Sequence, residues 1–202
     1  MGDVLEREYR GIAAPPVGTY RLDPTHTIVG FVAKHMMFTK VRGRFTRFDG
    51  EIVVGETPEE SSLWVTMEAD SLTTGVDARD QHLRSKDFFE IERYPQLTFR
   101  STKVEWTGGS GLRVIGDLTV RDVARPVVLE ATYEGAGRDP MGAFKIAFSA
   151  QGELDREDWG ITWNVALETG GVLVGKKVAL EIDTQAVLQE AVEETQQLAK
   201  AS

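Results

Sequence analysis

The sequence predicts an all-β fold, an up-and-down antiparallel barrel or a sandwich, on three observations. Period-two alternation of apolar and polar residues dominates the chain, short glycine-rich clusters separate the alternating stretches, and the repeated long helical crossovers of a parallel sheet are missing. The 202 residues, 41% of them hydrophobic, fit one domain with short tails.

Residues 1–16 are mixed and end in Ala13-Ala14-Pro15-Pro16, which reads as an N-terminal arm; residues 17–187 carry the barrel. The first clear strand sets Val29, Phe31, Ala33 and His35 against Gly30, Val32 and Lys34. A strand from Arg44 to Val54 follows, with an irregularity expected at Phe48-Asp49-Gly50. Leu63, Val65, Met67 and Ala69 then oppose Trp64, Thr66, Glu68 and Asp70, and Leu97 and Phe99 oppose Thr98 and Arg100. Leu112, Val114, Gly116, Leu118 and Val120 share one face of the next strand; Val127, Leu129, Ala131 and Tyr133 share one face of the strand after it. Phe144, Ile146, Phe148 and Ala150, and finally Val178, Leu180, Ile182 and Thr184, complete the set of eight. Gly55-Glu56-Thr57-Pro58, Gly108-Gly109-Ser110-Gly111 and the stretch from Gly135 to Pro140 supply turns.

Two segments break the alternation. Residues 76–90 are helix-compatible and end in Phe88-Phe89, and residues 155–171 place Trp159 and Trp163 in a long connection. Long connections in compact barrels act as lids or plugs. Residues 188–202, rich in Leu, Glu, Gln and Ala, are expected to form a C-terminal helix.

Composition closes several functional classes. Thirty-two acidic against 23 basic side chains give a net charge of −9, a field that repels nucleic acid and anionic surfaces as a whole. With no cysteine there is no disulfide framework, thiolate zinc site, iron–sulfur cluster or cysteine nucleophile. No stretch approaches the roughly 20 apolar residues of a membrane helix. Residues 1–18 carry Asp3, Glu6, Arg7, Glu8 and Arg10 rather than the apolar run of a secretory signal, so a cytoplasmic location is expected.

The candidate chemistry is sparse. The three histidines, His26, His35 and His82, have no metalloprotease spacing, and neither metal nor cofactor is expected. Histidines at turns, helix ends and a strand end satisfy local structure; the sharper alternative gathers His35 and His82 beside Asp80 or Asp87 as a metal or acid–base cluster. There is no nucleophile elbow, and Gly108-Gly109-Ser110-Gly111 lacks the flanks of a phosphate loop. In the charged stretch 79–87, a helix lying across a barrel mouth would turn Leu83, Phe88 and Phe89 inward. Arg79, Asp80 and Arg84 would then pair with neighbours or with a ligand's polar head.

The order of short motifs resembles the YceI-like family. Leu22-Asp23-Pro24 with His26, Phe31 and His35 is followed by Val41-Arg42-Gly43-Arg44-Phe45 and Phe48-Asp49-Gly50. Arg79-Asp80, His82-Leu83-Arg84-Ser85 and Asp87-Phe88-Phe89 come next, then Tyr94-Pro95 with Phe99 and Ser101, and Gly116-Asp117-Leu118-Thr119. Pro126-Val127, Arg156 with Asp158-Trp159-Gly160, and Val174-Gly175 close the series, which runs from about residue 18 to 187. The resemblance implies an eight-stranded antiparallel lipocalin-like barrel. It also implies an interior that binds a long apolar molecule, a polyisoprenoid, isoprenoid quinone or fatty amide, without catalysis. Departures are Thr27 where a serine is common, Trp159 for a frequent phenylalanine, and a variant Trp163-Asn164 region.

Inward alternation then selects Phe31, Ala33, Phe45, Val65, Met67, Phe99, Leu118, Val120, Phe144 and Phe148 as wall candidates, with His35 ending its row. Leu83, Phe88, Trp159 and Trp163 are expected to cover one end. Two rivals stand beside this expectation: an enzyme acting on a lipid head near His35 and His82, and an interaction module with a filled barrel. Ile28, Val32 and Trp64 fall on outward rows, where an apolar patch would suit a homodimer.

Overall fold

The computed structural model describes residues 7–168 and 170–189. The expected C-terminal helix lies outside the described residues apart from its first two positions, and of these Leu188 ends the last strand. A small hairpin, β1 (Arg7–Tyr9) and β2 (Ile12–Ala14), precedes the barrel and occupies part of the expected arm. Its two-residue turn is Arg10-Gly11, both at positive φ (52° and 79°), the backbone that a tight hairpin demands.

Eight antiparallel staves close the barrel. The first is made of β3 (Gly18–Leu22) and β4 (Ile28–His35), the second of β5 (Thr39–Phe45) and β6 (Phe48–Val54), and the third of β7 (Ser62–Glu68) and the short β8 (Leu72–Thr73). The other five are single long strands: β9 (Gln96–Gly108), β10 (Gly111–Val120), β11 (Val123–Arg138), β12 (Phe144–Asp155) and β13 (Val174–Leu188). Closure falls to β13, which pairs with β12 along one edge and with both halves of the first stave along the other, Ala186 opposite Leu22 and Ile182 opposite Val29.

The breaks in the staves have local causes. Between β3 and β4, Pro24 has no N–H to give the ladder, and Gln185 of β13 holds both sides of the interruption: its carbonyl accepts from the Asp23 N–H at 2.8 Å and from Thr27 Oγ1 at 3.1 Å. Lys145, Thr25 and His26 all reach the Asp23 carboxylate, at 2.8, 2.6 and 2.9 Å. Burial works to raise the Asp23 pKa, but these hydrogen bonds outweigh it and hold the carboxyl below the usual carboxylate range. In the second stave the irregularity falls at Thr46-Arg47, before the expected position, because Thr46 turns its N–H and hydroxyl to the Ser71 carbonyl. Phe48-Asp49-Gly50 is regular strand, in register with Met67, Thr66 and Val65.

The helix is shorter than its sequence signal. α1 (Asp77–Arg84) stops at Ser85, and residues 85–94 continue as turns. Asp80, 4% exposed, accepts from both Thr73 and Thr74 and so anchors the helix to the third stave. Arg84 donates to the Leu72 carbonyl at 2.6 Å and Arg79 to Thr74 at 2.7 Å, so Arg79, Asp80 and Arg84 all answer to protein neighbours.

The outward apolar trio does not form one open patch. Ile28 is exposed, but Val32 is buried between Arg42 and Ala179, and the Arg21 guanidinium lies over Trp64.

Candidate functional site: the barrel cavity

Inside the barrel the described residues enclose a cavity of about 330 Å³. Phe31 and Ala33 of β4, Phe45 of β5, Val65 and Met67 of β7, Phe99 of β9, Leu118 and Val120 of β10 and Phe148 of β12 line it, as alternation selects. Val178, Leu180 and Ile182 of β13 complete the ring with Leu129 and Ala131 of β11. Two aromatic rings lean against glycines: an added Cβ at Gly43, the cross-strand neighbour of Phe31, would lie 2.3 Å from the Phe31 Cζ, and one at Gly116 would lie 2.5 Å from the Phe99 Cζ. The missing side chains at Gly43 and Gly116 give these rings the room they occupy.

One end is closed by α1, the turns that follow it, and the 156–161 segment. Leu83, Phe88, Trp159 and Ile161 line the cavity there; Trp159 is held by its Nε1–H, which donates to the Leu118 carbonyl at 3.0 Å. Arg156 is 5% exposed and donates to the carbonyls of Gly175, Ile161 and Val174; burial draws its pKa down, while Glu157 and Asp155 act against that. At the opposite end the β1–β2 hairpin lies across the mouth, with Tyr9 and Ile12 on the lining and Tyr9 edge-on to Trp106 at 6.1 Å. Arg7 fastens it, donating to the carbonyls of Gly55 and Glu56 at 2.7 Å each.

Three expected site residues lie off the wall. Trp163 stands one layer out, against Phe88 and edge-on to His82, because Phe88 takes the inner position. Phe144 shares the inward parity of Phe148 but packs in a second, filled cluster with Tyr20, Ile146 and Ala186. There Tyr20 is fully buried, donates its hydroxyl to the Pro16 carbonyl, and is pushed up to about 12 by burial, with Arg7 pulling the other way. His35 ends β4 opposite Thr39 and Val174, beyond the lining.

The histidine cluster is not assembled. His82 pairs with Asp87 at 2.9 Å, no contact joins it to His35, and among the described residues no group of three His, Asp or Glu side chains could hold a metal. The wall itself carries no Asp, Glu, His or Lys among the described residues. Its charged members are Arg7 and Arg156, and its hydroxyls include the Thr27–Thr184 pair at 3.0 Å.

Comparison with known proteins fits this geometry. A model of the YceI-like domain matches residues 20–186. The chain belongs to the YceI-like family. A UPF0312 protein of Staphylococcus aureus is 33% identical over 174 residues, 85% of this YceI-like chain and 98% of the relative. Among solved structures, the YceI protein of Campylobacter jejuni superposes with a TM-score of 0.67 at 29% identity, covering 78% of this chain and 90% of its own. A polyisoprenoid-binding domain from Saccharophagus degradans shares the fold, with a TM-score of 0.62 at 15% identity over 86% of this chain and 99% of that one. The matched domain begins after the β1–β2 hairpin, so the cover over the second mouth lies outside the family segment.

Proposed function

We propose that this YceI-like protein binds a long apolar lipid of the polyisoprenoid, isoprenoid-quinone or fatty-amide class inside the barrel. It holds or carries the lipid without transforming it. The observation that carries the reading is the wall: a cavity of about 330 Å³ lined on every stave by aliphatic and aromatic side chains, at the lower end of the range of ligand pockets of roughly 300–1,000 Å³. Water in such a slot finds few partners, so a hydrocarbon tail displaces it at little loss. A tail burying about 400 Å² of apolar surface gains roughly 10 kcal/mol gross, from which its lost rotational freedom subtracts.

The wall also argues against chemistry inside the barrel. Acid–base or nucleophilic catalysis needs a titratable group within hydrogen-bond reach of the reacting atom, and His82, with its Asp87 partner, stands behind Phe88. The family membership and the polyisoprenoid-binding neighbour support the lipid class.

The test is organic extraction of protein purified without detergent, followed by mass spectrometry and by reloading of the stripped barrel with a polyprenol, a quinone and a fatty amide. The expected result is one lipid class recovered near stoichiometry and taken up again. A stripped protein that takes up none of the three would overturn the proposal.

A further inference from the structure

The hairpin joining β4 to β5 carries a feature the cavity does not use. Met36, Met37 and Phe38 form its three-residue loop, Met36 and Met37 at φ 51° and 70°, and the Phe38 N–H donates to the His35 carbonyl at 3.3 Å. Two successive left-handed residues are the province of Asn and Gly; in side-chain-bearing residues each is strained. The strain holds three large apolar side chains in solvent: Met36, Met37 and Phe38 are 36%, 53% and 75% exposed. Strain retained at an exposed tip points to a role for that tip.

The location is specific. The Met36 N–H donates to the Leu173 carbonyl at 2.8 Å, which ties the tip to the 161–173 connection, where Val165 is also exposed. That connection meets α1 through the Trp163–His82 contact, so the tip stands at the end of the barrel closed by Leu83, Phe88 and Trp159. Met141, the most exposed large apolar residue among the described residues, stands in the β11–β12 turn at the other end.

The charge around the tip opposes the sign of the molecule. Lys34 and Lys40 are exposed directly across from each other, an arrangement that destabilises an isolated hairpin. Arg42 and Arg44 follow on the same outward row, Arg42 reaching Glu181 at 3.7 Å, and residues 34–44 contain no acid. Of the acids at this end, Asp77 opens α1, while Glu168 lies on the connection that meets the tip, where a Cβ at Gly171 would lie 3.4 Å from Met37. Residues 34–44 thus carry four formal positive charges, Lys34, Lys40, Arg42 and Arg44, on a chain of net charge −9, and exposed charges farther away than a Debye length of about 8 Å are largely screened.

We propose that the 34–44 hairpin is a membrane-docking tip. Met36, Met37 and Phe38 enter the interfacial region of an anionic bilayer while Lys34 and Lys40 meet its headgroups, setting the Phe88–Trp159 end of the barrel against the lipid it loads or unloads. The proposal rests on the lipid-binding reading for its purpose, but the docking is measured separately.

The experiment is sedimentation of the full chain with vesicles of phosphatidylcholine alone or mixed with phosphatidylglycerol. The parent should bind the mixed vesicles and release them as salt rises. Phe38→Ser should weaken this about tenfold or more, and Lys34→Gln and Lys40→Gln about fivefold each. Met36→Asn/Met37→Gly, which suits the turn, should raise the unfolding midpoint while lowering vesicle binding, so a loss there cannot be misfolding. Lipid extracted from each variant reports the cavity independently: vesicle binding with an empty barrel would leave docking standing and remove the carrier reading. A parent that ignores both vesicle types, variants that sediment like the parent, or a co-purifying protein that occupies the tip in place of vesicles would overturn the docking proposal.

Discussion

Replacing Ala33 by tryptophan tests the interior slot most severely. Ala33 lies on β4 between Val41 and Val178 in register and lines the cavity. The exchange adds about nine non-hydrogen atoms, which at interior packing density occupy on the order of 150 Å³, close to half of the 330 Å³ available. A tail denied half of a buried surface of about 400 Å² loses roughly 5 kcal/mol of its gross gain. Because it can shift within the slot, the expected loss of affinity is at least about hundredfold. The variant should stay folded, with an unfolding penalty of about 1–3 kcal/mol from overpacking. The assay is titration with a polyprenol, alongside urea unfolding followed by circular dichroism; Glu181→Gln, on the outer face, is the control. A folded Ala33→Trp protein that binds the polyprenol as tightly as the parent would show that the tail does not lie in the slot, since one chain cannot occupy volume taken by an indole.

Other outcomes follow from the same geometry. Gly43→Ala should push the Phe31 ring off its resting place and into the slot, lowering polyprenol affinity with little change in fold, as read by the same titration. Arg7→Ala removes the fastening of the β1–β2 hairpin and should speed lipid release, measured by transfer to acceptor vesicles, without changing which lipid is extracted. Asp23 has a folded pKa below its unfolded value of about 3.9. Its contribution to stability is therefore whole above that value and is lost as pH falls below it; urea midpoints measured down the acid range should show this loss, and Asp23→Asn should flatten it. Tyr20 has the opposite sign, its pKa raised to about 12, so stability should decline as pH rises from about 10 toward 12, and Tyr20→Phe should flatten that decline.

Alternation found all eight staves but missed Gly18–Leu22 of the first and residues 39–43 of the second; it works because a barrel wall has one dry and one wet face, and Phe31, Val65, Phe99 and Leu118 carry that difference in their own spacing. It could not separate Phe148, on the cavity, from Phe144, in the filled cluster. Parity assigns a face, whereas depth along the barrel depends on which neighbours, here Tyr20 and Ile146, fill the space. Trp163 and Phe88 posed a similar problem, since two aromatics in irregular segments compete for one inner position and no periodicity ranks them. The hairpin over the second mouth was readable in principle: Arg10-Gly11 is a two-residue turn between Tyr9 and Ile12, and only Ala13-Ala14-Pro15-Pro16 made the segment look like an unstructured arm. The breaks at Asp23–Thr27 and Thr46-Arg47 depend on the distant carbonyls of Gln185 and Ser71, which no local pattern announces.

Whether a lipid tail is held within the barrel is decided by a crystal structure of the lipid-loaded protein. Continuous tail density is expected between Ala33, Leu118 and Val178, running toward Phe88 and Trp159. Density for the lipid on the outer surface, with the interior filled by repacked side chains, would contradict it.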